Sequence, residues 1–113
     1  MRKLGNREKD ILNWLGAKPT INSGAIFDDA DGIRKLIYPV GFYAWDKLII
    51  EVKATEKISY SVTDRLLEKV NKQATQLQGI PIIAVGTKRN SFVIVRTSDF
   101  TDLMDWTQKE KRR

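Results

Sequence analysis

The chain of 113 residues contains no cysteine and no histidine. Without cysteine there is no disulfide framework, no thiolate zinc site and no cysteine nucleophile. Without histidine, the chain lacks the commonest general base and the commonest protein ligand of transition metals. Any catalysis must therefore depend on carboxylates, lysine, hydroxyl groups and hard cations such as Mg²⁺.

Long apolar runs are also missing. No segment approaches the length of a membrane span, and the opening residues, MRKLGNREKD, lack the apolar stretch of a signal peptide. We therefore expect a soluble intracellular protein that resides in the cytoplasm and not in a membrane. The length suits one domain, so residues 1–113 are predicted to form a single domain with a basic tail from about residue 107.

Basic residues outnumber acidic ones. Lysine and arginine total 20 against 14 aspartates and glutamates, which gives a formal net charge of +6. This balance favours a polyanionic partner, most simply nucleic acid. The alternative is a charge that serves only solubility.

Hydrophobic periodicity and turn signals predict eight elements in the order α-β-β-β-α-β-β-α. The first helix, in GNREKDILNWLG, is predicted to be capped by Asn6 and ended by Gly16. The second, in DRLLEKVNKQATQLQG, follows Thr63 as its cap and ends at Gly79, and the last follows Ser98. The predicted strands lie in KPTINSGAIF, in the hairpin-like GIRKLIYPVGFYAWDKLIIEVKA, in IPIIAVG and in SFVIVRT. The order predicts an α/β sandwich around a mixed sheet.

A triplet with two charged residues lies at the end of the clearest strand pattern in the sequence. Glu51, Val52 and Lys53 follow directly after Leu-Ile-Ile, and in a strand Glu51 and Lys53 emerge on the same face. Either the strand end is solvated or the two charges are held together for chemistry.

Three aspartates, Asp28, Asp29 and Asp31, cluster upstream of this triplet. Clustered carboxylates repel one another, so the cluster is either a flexible acidic turn or part of a site. In the second case, one aspartate joins Glu51 on a neighbouring strand and binds Mg²⁺ through hard oxygens. Asp31 is the favoured ligand because Gly32 and Ile33 lead from it straight into a strand, and Asp29 is the reserve.

The segments SG, DADGI and IIEVKAT, in this order, resemble the PD-(D/E)XK nuclease superfamily, and within it the archaeal- and phage-type Holliday junction resolvases. Ala30 stands where that family has a proline, which keeps Asp29 open as the alternative to Asp31. The positions that match the family's functional residues are Glu8 on the first helix, Ser23 before a glycine, Asp31, Glu51, Lys53, and Gln73 on a later helix.

The resemblance implies a restriction-endonuclease-like fold, a central mixed sheet flanked by helices, and DNA cleavage that depends on Mg²⁺ or Mn²⁺. The implied metal ligands are Asp31, Glu51, the backbone carbonyl of Val52, and Glu8. Lys53 would orient the attacking water or stabilise charge on the phosphate. Ser23 and Gln73 would be further catalytic residues. A glutamate such as Glu8 in the first turn of a helix is also favourable to the helix dipole alone.

We therefore expect a Mg²⁺-dependent DNA endonuclease, a Holliday junction resolvase that acts on four-way junctions as a homodimer. Aromatic residues between Tyr38 and Trp45 are either core or the dimer face. A polar stripe on the second helix is either solvated surface or a phosphate contact; its members are Arg65, Lys69, Lys72, Gln73 and Gln76. The alternatives are another phage or mobile-element nuclease acting on flaps, ends or duplex, and a basic nucleic-acid-binding module without catalysis.

Overall fold

A computed structural model describes residues 4–20 and 30–111 of the chain. Its elements follow the predicted order α-β-β-β-α-β-β-α. They are α1 (Asn6–Trp14), β1 (Lys18–Pro19), β2 (Gly32–Val40), β3 (Trp45–Ala54), α2 (Asp64–Gln76), β4 (Ile80–Gly86), β5 (Ser91–Val95) and α3 (Thr97–Lys111). Within the described ranges, no helix has both the length and the apolar character that crossing a membrane requires.

The five strands form one mixed sheet in the order β1-β2-β3-β4-β5. Strands β3 and β4 are parallel and are joined through α2, whereas the other neighbouring pairs are antiparallel. A parallel pair needs such a crossover because the chain has to return to the starting edge of the sheet. Strand β3 is therefore interior, with a hydrogen-bonded strand on each side.

Helices cover both faces of the sheet. One face packs against Ile11 and Leu12 of α1 and against partly buried Leu103 and Trp106 of α3. The strand residues of this first layer include Ile50, Val52, Ile82 and Ala84. The opposite face packs against α2, and this second layer includes Ala30, Ile49, Val70, Ala74, Ile83 and Val85. Successive strand residues alternate between faces, so Glu51 and Lys53 share the α2 face with Ile49.

The helix ends differ in detail from the sequence predictions. Thr63 caps α2 as predicted, and its hydroxyl accepts a hydrogen bond from the backbone N–H of Leu66 at 3.2 Å. The prediction that Asn6 caps α1 is wrong, because the helix begins at Asn6 and Gly5 is its cap. Helix α3 likewise begins at Thr97, one residue before the predicted cap Ser98.

Helix α2 ends at Gln76, three residues before the predicted stop at Gly79. Gln78 adopts the positive φ of 56°, and the N–H of Gly79 donates to the carbonyl of Ala74 at 2.9 Å. Gly79 is needed for space: a Cβ there would lie 2.5 Å from Cγ1 of Ile49. The glycine thus allows the end of α2 to pack closely on β3.

The aromatic residues at the β2–β3 hairpin divide into buried and exposed ones. Trp45 is half-buried and packs against the layer beneath α1 and α3. Phe42 and Tyr43 lie in the turn and are 95% and 72% exposed. The hairpin is attached to α3 by the indole Nε1–H of Trp106, which donates to the carbonyl of Tyr38 at 2.9 Å. The aromatic segment is therefore only partly core.

Candidate active site

Glu51 is a buried carboxylate in the middle of the sheet. Glu51 is 4% exposed, and it lies opposite Ile83 in the parallel pairing of β3 with β4. The solvated strand end considered from the sequence is thus wrong for Glu51. Burial of a charged group without a partner is unfavourable, so its surroundings must stabilise or neutralise it.

Asp31 lies next to Glu51 because its backbone and side chain both bond to β3. The N–H of Asp31 donates to the carbonyl of Ile50 at 3.0 Å, and its Oδ2 accepts the N–H of Val52 at 2.8 Å. These two hydrogen bonds bracket Glu51 in the sequence. Asp31 is only 2% exposed. Asp31, the residue that precedes β2, therefore lies beside Glu51 of β3.

Burial beside a second carboxylate changes the ionisation of Glu51. Burial raises the pKa of Glu51, and the carboxylate of Asp31 raises it further. The ammonium groups of Lys53 and Lys69 act in the opposite direction. The Nζ of Lys53 lies 3.4 Å from Oε1 of Glu51, and the lysine side chain is 28% exposed. The lysine thus touches the buried carboxylate and still reaches solvent.

Helix α2 brings one buried amide to the same face of the sheet. Gln73 is only 2% exposed, so it does not belong to the solvated stripe in which its sequence position grouped it. The other four members of that stripe, Arg65, Lys69, Lys72 and Gln76, are exposed. Lys69 was not singled out from the sequence as a site residue. Its spacing of four residues from Gln73 was the available signal, because residues at i and i+4 share a helix face.

Among the described residues, Glu8 does not form a metal-binding cluster with Asp31 and Glu51. Oε1 of Glu8 accepts the N–H of Gly5 at 3.2 Å at the start of α1. In residues 4–20 and 30–111, no three histidine, cysteine, aspartate or glutamate side chains gather closely enough to hold a metal ion. Metal ligation by Glu8 and by the carbonyl of Val52 therefore stays a prediction. Ser23, Asp28 and Asp29 lie outside the described residues, so their predicted roles stay predictions as well.

The residues present suit a hard divalent cation. Asp31 and Glu51 supply carboxylate oxygens, the ligands that Mg²⁺ prefers. The raised pKa of Glu51 means that burial and mutual repulsion disfavour its ionised form. A bound cation would relieve both effects, because its positive charge stabilises the two carboxylates together.

Comparison with known proteins yields a structural match. No protein-family model and no curated protein matches the chain. The 1.6 Å structure of Archaeoglobus fulgidus Hjc, a Holliday junction resolvase from an archaeal hyperthermophile, is similar to it with a TM-score of 0.58 and 19% sequence identity. The similarity covers 80% of this chain and 74% of the Hjc chain. The predicted five-stranded mixed sheet flanked by helices is confirmed, and the chain has a restriction-endonuclease-like fold that it shares with an archaeal resolvase.

Proposed function

We propose that the protein is a Mg²⁺-dependent DNA endonuclease of the Holliday junction resolvase type, active inside the cell as a homodimer. The observation that carries the proposal is the buried pair of Asp31 and Glu51 with Lys53 beside it, in a fold shared with a resolvase. Buried like charges that reduce stability are common at active sites, where chemistry gives them a use.

Each site residue would have its own role in phosphodiester hydrolysis. Asp31 and Glu51 would hold the cation through their carboxylate oxygens. A Mg²⁺ ion there supplies Lewis-acid stabilisation of the phosphoryl group and a nucleophilic water at neutral pH. Lys53 presents its ammonium at the boundary between the buried pair and solvent, and it would stabilise negative charge that develops on the phosphate. Histidine is not needed for this chemistry.

Three observations support DNA as the substrate and a dimer as the active unit. The formal net charge of +6 suits a polyanion. A four-way junction has two-fold symmetry, so two cuts call for two copies of the site, and two-fold dimers provide them. The exposed Phe42 and Tyr43 offer apolar area for such an interface.

The test is cleavage of a synthetic four-way junction, a flap and a linear duplex, each in Mg²⁺ and in EDTA. We expect wild-type protein to cut the junction in Mg²⁺ only. Asp31→Asn and Glu51→Gln should abolish cleavage and leave DNA binding intact or tighter, because each removes a negative charge near the phosphate. Asp46→Asn is the matched control, since Asp46 is an exposed carboxylate on the same strand, and it should cut like wild type.

Each contrary result has a defined meaning. Full cleavage by Glu51→Gln in Mg²⁺ would refute the proposed site. Cleavage of the flap or duplex in preference to the junction would identify another kind of nuclease. Binding of DNA without any cleavage by wild-type protein would leave a nucleic-acid-binding module.

A further inference from the structure

The buried amide of Gln73 contains an oxygen without a partner. Gln73 is 2% exposed, and in the described part of the chain its Oε1 accepts no hydrogen bond. Buried polar atoms are nearly always satisfied in folded proteins, so an unsatisfied one requires an explanation.

The packing of α2 places this amide beside the carboxylate pair. Ala74 packs against Ala30 and Ile49, the residues one before Asp31 and two before Glu51. One turn earlier, Val70 packs against Ile83, the residue that pairs with Glu51. Four helical residues advance about 6 Å, and two strand residues advance by nearly the same distance. The turn of α2 from Ala74 back to Val70 therefore covers about the same distance as the step from Ile49 to Glu51 on β3.

Gln73 lies between these two anchor points on the helix. Long side chains of a helix lean toward its N-terminus, which is the direction from the level of Ile49 to the level of Glu51. Its burial excludes an orientation toward solvent. The packing therefore directs the amide toward the level of Glu51, on the same face of the sheet.

The chemistry of the pair limits what the amide oxygen can accept. An ionised carboxylate only accepts hydrogen bonds, so neither Asp31 nor Glu51 can satisfy a second acceptor when ionised. A hard cation can be bound by two carboxylates and an amide carbonyl at once. Such a set needs only two acidic side chains, because its third oxygen is neutral.

We propose that the amide oxygen of Gln73 is the third protein oxygen of a divalent-cation site that it forms with Asp31 and Glu51. The inference rests on the cation site of the proposed function and adds a ligand from α2. It gives the crossover helix a direct part in binding, because cation binding connects α2 to β3 and to the residue that precedes β2.

The experiment measures Mn²⁺ affinity by electron paramagnetic resonance, without DNA, and the melting temperature in EDTA. Gln73→Leu should lower Mn²⁺ affinity about ten- to hundredfold, as loss of a group that supports a metal site does. It should also raise the melting temperature in EDTA, since it removes an unsatisfied acceptor. Gln73→Glu should raise Mn²⁺ affinity above that of wild type, because a charged oxygen replaces a neutral one.

Gln76→Leu and Gln76→Glu are the matched controls. Gln76 lies one turn further on the same helix and is exposed, so both variants should bind Mn²⁺ like wild type. If Gln76→Glu raised Mn²⁺ affinity as much as Gln73→Glu, the gain would come from long-range attraction by the added charge and not from direct binding. This result would overturn the inference.

Two further results separate this inference from the proposed function. Absence of Mn²⁺ binding in wild type would remove the site altogether. If Glu51→Gln abolished Mn²⁺ binding and Gln73→Leu preserved it, only the proposed role of Gln73 would be overturned. A lower melting temperature of Gln73→Leu in EDTA with unchanged affinity would show that the amide donates to the carboxylates and binds no cation.

Discussion

The two ends of the β2–β3 hairpin break the usual rule of burial in opposite ways. At one end, Asp31 and Glu51 are charged residues with almost no exposure. At the other end, Phe42 and Tyr43 are aromatic residues that lie largely in solvent. Nine residues of strand separate these ends, or about 30 Å. Acidic side chains are seldom fully buried, and exposed groups of large apolar side chains often mark an interaction site.

The two ends differ in what would stabilise them. The strand residues between the ends pack in the ordinary way, with Ile50 and Val52 beneath α1 and Ile49 beneath α2. The carboxylate end would be completed by positive charge, and the aromatic end by apolar surface. The hairpin thus connects a place suited to an ion with a place suited to another macromolecule.

Substitution of Gly79 by alanine should have the largest effect on stability. The added Cβ would lie 2.5 Å from Cγ1 of Ile49 and 3.0 Å from the carbonyl oxygen of Lys47. Overpacking of this kind lowers the free energy of unfolding by about 1–3 kcal/mol. Urea unfolding measures the loss. An unchanged midpoint would mean that α2 does not hold β3 as tightly as the structure indicates.

Acid should stabilise the cation-free protein through Glu51. Because the folded pKa of Glu51 is raised above its ordinary value of 4.5, the folded state retains this proton after the unfolded chain has lost it. The contribution is complete below pH 4.5 and is lost as the pH rises through the folded pKa. Each tenfold difference in proton affinity between the folded and unfolded states contributes about 1.4 kcal/mol.

The measurement is the free energy of unfolding in EDTA between pH 4 and pH 8, for wild type and for Glu51→Gln. The advantage of wild type over the variant should shrink as the pH rises, whereas Asp46→Asn should follow the wild-type profile. Parallel profiles of wild type and Glu51→Gln would contradict the assignment.

Changes at the aromatic end should affect stability least. Phe42→Ser combined with Tyr43→Ser removes the edge-to-face contact between these two rings and the stacking of Tyr43 on half-buried Trp45, each at 5.3 Å. The free energy of unfolding should fall by about 1 kcal/mol. If these rings form the proposed dimer face, the mass in light scattering should fall to the 13.0 kDa of one chain. A dimer that survives the double substitution would place its interface elsewhere.

The order of elements was predictable because it depends on local patterns. Periodicity identified α2 from Leu66, Leu67, Val70, Ala74 and Leu77, and all five pack on the sheet. Helix ends were less certain, since a cap shifts by one residue at little energetic difference, as Gly5 and Asn6 illustrate.

The environment of each site residue was harder to infer. Glu51 is buried because β4 pairs with β3. Its partner in β4, Ile83, lies 32 positions further along the chain, and no local sequence pattern indicates such a pairing. Gln73 carries a polar side chain at the border of an apolar stripe, where composition indicates exposure and only tertiary packing decides. The type of chemistry was therefore accessible from the sequence, but the depth of the site was not.

The parallel pairing of β3 with β4 also has a consequence for the order of folding. The β2–β3 hairpin closes through local contacts and can form early, whereas β4 must wait until α2 has crossed the sheet. We expect Glu51 to remain hydrated until that step, so the repulsion between the carboxylates would arise late in folding. An interaction that is present in the native state but absent from the folding transition state changes the rate of unfolding. The charged pair would thus shorten the lifetime of the folded protein and leave the speed of its formation almost untouched.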